Sequence, residues 1–282
     1  MRFELGQMAR RAGATRRKAV TFQPVNLPAM QATNLFRAAY APLLAVWEGT
    51  AARAADEYER TLSALQTDSV SSIEAEIEQG RVRAAAVILT IRARLRGWAM
   101  AAEAWHSIRW KRNVQAATGV DLATMIGPDD VRETLEAVIA RNASLVSSVS
   151  DQARERIASA VLQGHQQRKP AREVAKELSE ALAKARRRAL NIAAHQNAVL
   201  AAQLNEERRR QAGIDSWSWQ HSGKVHARED HKARDGKLYS DNPDRVGTVY
   251  EGREVNAPPP ADDLPGIPPG CGCTTRSVLI LD

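Results

Sequence analysis

Apolar residues recur at helical spacing over most of this chain and change to alternation only near its end. From Asn34 to Leu65 the anchors Leu35, Leu43, Val46, Trp47, Tyr58, Leu62 and Leu65 predict one helical stretch, which Pro42 should kink or split. A second stretch runs from Asp68 to about Ala117 on Ile73, Ile77, Val87, Ile88, Ile91, Leu95, Trp98, Trp105 and Ile108, with Gly80 and Gly97 as weak points. Trp98 and Trp105 stand seven residues apart and read as core anchors on one face. Gly127-Pro128 precedes a third helix, whose first turn carries Asp129, Asp130 and Glu133. It should end between Ser150 and Val161, before Gly164. Lys169-Pro170 opens a fourth, with Val174, Leu178 and Leu182 every four residues. Lys184 to Arg210 gives a last long helix, stopped at Gly213, with Arg208 to Arg210 complementing its dipole. The spacing is too irregular for a sustained coiled coil.

After Gly213 the pattern shortens. Ile214, Trp217 and Trp219 predict a short strand, Ser222-Gly223 a turn, and Ala227 to Ala233 one or two helical turns. Asp235-Gly236 is a tight-turn signal before Leu238-Tyr239, and Val246 to Val255 reads as a hairpin through Glu251-Gly252. Pro258, Pro259, Pro260, Pro265, Pro268 and Pro269 make the next segment an irregular surface wrap. Thr274 to Leu281 is a final apolar strand. It should pair with the Trp217–Trp219 strand, since an unpaired apolar edge invites aggregation. The expected fold is mainly α: a long-helix body with a small, turn-rich α+β cap at the C-terminus. Its expected divisions are a basic arm over 1–30, a helical body over 31–213 and the cap over 214–282.

Composition narrows the functional classes. Of the 282 residues 44% are hydrophobic but only 5% aromatic, which suits long helices with modest cores. The formal charge of +7 favours acidic partners or nucleic acid. No apolar run has transmembrane length, so no membrane partner is expected, and the basic N-terminus lacks the apolar stretch of a signal peptide. In the arm, Arg2, Arg10, Arg11, Arg16, Arg17 and Lys18 face only Glu4 as an acid. Arg10, Arg11, Arg16, Arg17 and Lys18 are therefore candidate contacts to DNA or to an acidic protein face. With few apolar residues of its own, the arm is expected to be ordered by a partner, or else to be a solvated tail.

The cap holds both cysteines and three of the six histidines, His221, His226 and His231. His226, His231, Cys271 and Cys273 form a candidate zinc set, since zinc accepts mixed imidazole and thiolate tetrahedra and a small proline-rich cap gains from a metal staple. The spacing argues the other way: the histidines are five apart, and Cys-x-Cys is tighter than the usual Cys-x-x-Cys. The simpler expectation is no cofactor, with His231 and Asp235 hydrogen-bonding locally and the cysteines packing as small buried groups. A Cys271–Cys273 disulfide would close a strained one-residue loop. The acids and histidines of the cap could also be drawn into a metal-dependent hydrolase. However, no nucleophile elbow, zincin helix or phosphate loop is present, so no catalytic residue is assigned and the chain reads as a non-enzyme.

The ordered set Trp219, Arg228, His231, Asp235-Gly236-Lys237, Pro265 to Pro269, Cys271-Gly272-Cys273 and Val278 to Leu281 resembles the Mu F-like minor head proteins of tailed phages, the phage head morphogenesis family. The helix segment Arg188 to Asn197 is similar to that family's Arg/Ala helix before Gln-Asn. The resemblance covers roughly Ala185 to Asp282. Three departures stand out. Lys224 takes the place of an Asp common in the family, Gly272 that of the usual Arg between the cysteines, and Arg228 and His231 that of a common Cys-x-x-Cys. The resemblance implies a structural virion protein in few copies per particle. Such a protein would dock with the portal protein and other head proteins, assist head morphogenesis and DNA packaging or ejection, and reside in the host cytoplasm during assembly. The alternative is a DNA-binding virion protein that uses the arm and Arg-rich helix faces on packaged double-stranded DNA.

Overall fold

A computed structural model describes residues 3–13, 18–64, 69–225 and 227–281. In chain order the elements are α1 (Leu5–Arg11), β1 (Ala19–Thr21), α2 (Ala29–Leu35), α3 (Ala41–Ala64), α4 (Ser69–Thr118), α5 (Arg132–Gln166) and α6 (Ala171–Gln211). Then follow β2 (Ser216–Gln220), α7 (Glu229–Ala233), β3 (Leu238–Ser240), β4 (Val249–Tyr250), β5 (Arg253–Asn256) and β6 (Thr274–Ile280). The expected class, mainly α with a small α+β cap, holds.

Among the described residues the long helices are fewer than the periodicity predicts, because α6 joins two of them, while the short α1 and α2 are not predicted. A π-turn, Phe36–Tyr40, leads straight into Ala41-Pro42, so the expected break at Pro42 takes the form of a widened turn just before a residue with no N–H. Gly80 and Gly97 do not interrupt α4. Gly164 does not end α5, and α6 absorbs both of the separate helices expected between Lys169 and Arg210. Gly80 packs closely on Thr50, and Gly164 on Val174 and Tyr58, contacts that outweigh the roughly 1 kcal/mol a mid-helix glycine costs.

The chain divides into two compact units whose boundaries fall inside α2, α4, α5 and α6. One comprises Ala32–Trp98 and Ala137–Ala194. It is helical, and its core includes Tyr40, Leu43, Trp47, Ile91, Ile157 and Val174, all fully buried. The polar tips of its large aromatics are satisfied: Trp47 Nε1 donates to Ser150 Oγ at 3.0 Å and Tyr58 OH to the Lys169 carbonyl at 2.9 Å.

The other unit comprises Met1–Gln31, Ala99–Glu136 and His195–Asp282. Its sheet has the order β1-β6-β2-β3-β5-β4. The expected pairing of the final strand with the tryptophan strand is present and antiparallel, with Trp217 opposite Ser277 and Trp219 opposite Thr275. This register puts Trp217, Trp219, Leu279 and Leu281 on one face. Leu238, Val255, Val278 and Ile280 cluster on the other.

The described residues among the first thirty, 3–13 and 18–30, pack into this unit. β1 pairs with β6, Val20 opposite Leu279. Phe3, Leu5, Ala9, Val20, Phe22 and Val25 join Trp110, Val114, Leu122, Leu279 and Leu281 in one buried cluster. The Phe3 and Leu5 amides donate to Gln211 and Ala212 carbonyls at 2.8 and 3.2 Å. Phe3, Leu5, Val20, Phe22, Val25 and Leu27 are all buried, and β1 covers the edge of β6 that would otherwise stand open. Of the two predicted tryptophan anchors, Trp98 is buried, whereas Trp105 is only partly buried beneath Arg109. Trp110 is the deeper one.

Candidate metal centre and family motif

β2 carries Trp217 and Trp219 on one face, and Tyr239 of β3 stacks on Trp217 with ring centroids 4.7 Å apart. Cys271 and Cys273 complete this buried cluster. His231, on the single helical turn α7, meets the edge of Trp219 at 5.0 Å and is itself buried. Its Nε2 lies 3.0 Å from Asp263 Oδ1. A carboxylate only accepts, so the proton sits on Nε2 and the lone pair on Nδ1. That lone pair faces two sulfurs, Cys271 Sγ at 3.6 Å and Cys273 Sγ at 3.8 Å.

Asp263 is in turn gripped by Arg234, Nη1 to Oδ2 at 2.6 Å. Burial opposes its charge, but the hydrogen bonds from His231 and Arg234 outweigh that and hold its carboxyl below the ordinary range. The thiols are coupled. A hydrogen bond between them favours the Cys271 thiolate and keeps Cys273 protonated above the ordinary thiol range. Both cysteines are free.

Of the four candidate zinc ligands in the sequence, the fold gathers three, His231, Cys271 and Cys273. The fourth, His226, lies outside the described residues. The sequence points to Asp235 as the acid that acts locally with His231. The structure supplies Asp263 instead, and Asp235 Oδ1 accepts the His221 amide at 2.8 Å, closing the Asp235-Gly236 turn. Gly236 has φ +75°, as the turn chemistry requires. Asp263 and Arg234 carried no sequence signal: Asp263 sits in the proline-rich wrap, where no periodicity marks an inward position.

The three donors line a cavity of about 310 Å³ with Ser222, Lys224, Arg228 and Gly270. Lys224 Nζ donates to the Gly270 carbonyl at 2.8 Å, and Arg228 to that of Pro269 at 3.3 Å. A Cβ built on Gly272 would stand 3.0 Å from the Lys224 side chain. Two of the departures from the family pattern, Lys224 and Gly272, are therefore neighbours, and the lysine fills space that a larger residue 272 would need.

The basic candidates separate. Arg10, Arg11 and Lys18 are exposed, whereas Arg16 and Arg17 lie outside the described residues. Of the arginines ending α6, Arg208 and Arg209 are buried, pairing with Glu103 at 2.5 Å and Asp241 at 3.1 Å. Only Arg210 is exposed, and it pairs with Glu207. Two of the three cations that close α6 are thus internal. Beside them, fully buried His106 shares a 3.0 Å hydrogen bond with Asn205 Oδ1, and Asn205 donates to the Val25 carbonyl. Asn197, in the Gln-Asn pair singled out from sequence, donates to the carbonyls of Leu27 and Pro28. No helix among the described residues is long and apolar enough to cross a membrane.

Known proteins share parts of this chain. It is similar to an uncharacterized protein of Haemophilus influenzae, 26% identical over 185 residues. That match covers 65% of this chain and 38% of the relative, so the chain spans well under half of the relative's length. No solved structure matches. The family described as Phage Mu protein F like protein matches residues 151–276, which include the end of α5, all of α6, β2, α7, the proline-rich wrap and the start of β6. Over residues 151–276, somewhat under half of its length, this chain is therefore similar to the Mu F-like family.

Proposed function

We propose that this chain is a minor head protein of a tailed phage that docks at the portal vertex and assists head morphogenesis and DNA packaging or ejection. The observation that carries the reading is the Mu F-like match over residues 151–276, which suggests a head-morphogenesis role. The fold is compatible with it. The long helices α4, α5 and α6 offer extended faces to partner subunits. On this reading the protein is structural rather than enzymatic, its partners are the portal and other head proteins, and its place is the virion after assembly in the host cytoplasm. Mass spectrometry of virions and empty precursor heads tests it, together with cross-linking to the portal. The expected result is the chain in both particles at few copies, cross-linked to the portal ring. Absence from both particles would remove the proposal.

A DNA contact is the second reading, favoured by the exposed Arg10, Arg11 and Lys18 on one short segment. Neutralising phosphates makes affinity fall steeply with salt. Replacing these three residues by Ala should flatten that dependence while leaving the fold intact. A salt-independent DNA shift, or none, counts against it.

A further inference from the structure

We propose that His231, Cys271 and Cys273 bind a zinc ion through Nδ1 and the two Sγ atoms, and that the ion staples the proline-rich wrap to α7. The inference rests on cap geometry and stands whether or not the protein is a head component.

Distance is the first argument. Zinc lies about 2.3 Å from thiolate sulfur and about 2.0–2.1 Å from imidazole nitrogen, so in a tetrahedral site the sulfur and nitrogen stand about 3.6 Å apart. The two observed separations are 3.6 and 3.8 Å. All three donor atoms lie within 4.8 Å of one another.

The second argument is valence. The Nδ1 lone pair can take one thiol proton, yet two sulfurs converge on it. A single ion satisfies all three donors at once, with both sulfurs bound as thiolates and any thiol proton released to solvent.

Orientation is the third. Asp263 holds the far nitrogen of His231, and Arg234 holds Asp263. A carboxylate behind an imidazole is the usual support for a zinc-bound histidine, fixing its tautomer and ring plane. Two thiolates and one imidazole select zinc over magnesium or calcium. The ligands come from α7 and from the end of the wrap. Closing them with an ion ties together a segment that has few apolar contacts of its own. The three donors share their cavity with Ser222, Lys224 and Arg228.

The test uses the full chain, expressed without a histidine tag in zinc-supplemented medium and purified without chelator. Elemental analysis should find about one zinc per chain. Cys271→Ser and Cys273→Ser should each lower this at least about tenfold, and Asp263→Asn, which removes no ligand, should weaken affinity about tenfold or more. Because the serine variants could disturb the cap, the wild-type chain is also loaded with cobalt(II). A thiolate-to-cobalt charge-transfer band in the near ultraviolet, absent from the Cys271→Ser/Cys273→Ser double variant, is expected. Wild-type protein that holds no zinc after incubation with excess metal overturns the proposal. So does a cobalt spectrum without thiolate ligation, or serine variants that retain the wild-type zinc content.

Discussion

Leu5→Ala decides whether the N-terminal segment belongs to the fold or waits for a partner. Leu5 is fully buried, in a cluster with Trp110, Val114, Ala212 and Leu281. Truncation to Ala removes three carbons, a transfer loss of about 2.4 kcal/mol at about 0.8 per methylene. A cavity penalty adds to it. α1 is only seven residues long and can settle partway into the space, so the total is about 3 kcal/mol, in the lower half of the range for buried leucines. Arg10→Ala and Arg11→Ala, on the exposed side of the same helix, should stay within about 0.5 kcal/mol. The suitable assay is native-state hydrogen exchange, read on peptides spanning β1 and β6. There the Phe22 amide bonds the Ser277 carbonyl at 2.9 Å, and the Leu281 amide bonds that of Lys18 at 2.8 Å. A loss of about 3 kcal/mol speeds exchange on the order of a hundredfold. If Leu5→Ala changes protection no more than the two arginine variants do, the N-terminal segment is not part of the core and its assignment to the buried cluster fails.

Three further outcomes are expected. Burial pushes the His106 pKa down to about 4, with the Asn205 hydrogen bond opposing and Arg208 adding to the shift. The unfolded chain takes up a proton near its ordinary value of about 6.5. The stability of this site is therefore complete above that pH and falls by about 2 kcal/mol between pH 7 and 5. Denaturant titrations should show a shallower pH slope for His106→Gln than for wild type, and equal slopes would contradict the assignment. Gly236→Ala meets open space but must hold φ +75°, so it should cost about 1 kcal/mol by calorimetry, and an unchanged melting curve would rule out the strain. At Gly164 a Cβ would lie 2.4 Å from Val174 Cγ2, so Gly164→Ala should cost about 1–3 kcal/mol, and Val174→Ala should relieve it. Strict additivity in the double variant would show that the two residues do not meet.

The sequence by itself determined the local structure. Period-3.6 anchors marked the long helices, Pro42 marked its break, and Asp235-Gly236 and Glu251-Gly252 marked turns that the backbone adopts with positive φ at Gly236, Glu251 and Gly252. These signals are local because they reflect steric limits on a few consecutive residues. The ordered cap residues also made the family resemblance legible, and it holds over residues 151–276. Tertiary structure decided the rest. Whether Gly164 ends a helix depends on the neighbour packed against it, and α5 runs through it. Whether a basic segment is a tail depends on whether its few apolar side chains find a cluster. Phe3, Leu5 and Val20 find one far along the chain, in Trp110 and Leu279. His231 took its carboxylate from Asp263, thirty-two positions away, rather than from nearby Asp235. Propensity is a property of adjacent residues. Core membership, ion pairing and convergence of donors on one point are properties of residues that only the closed chain brings together.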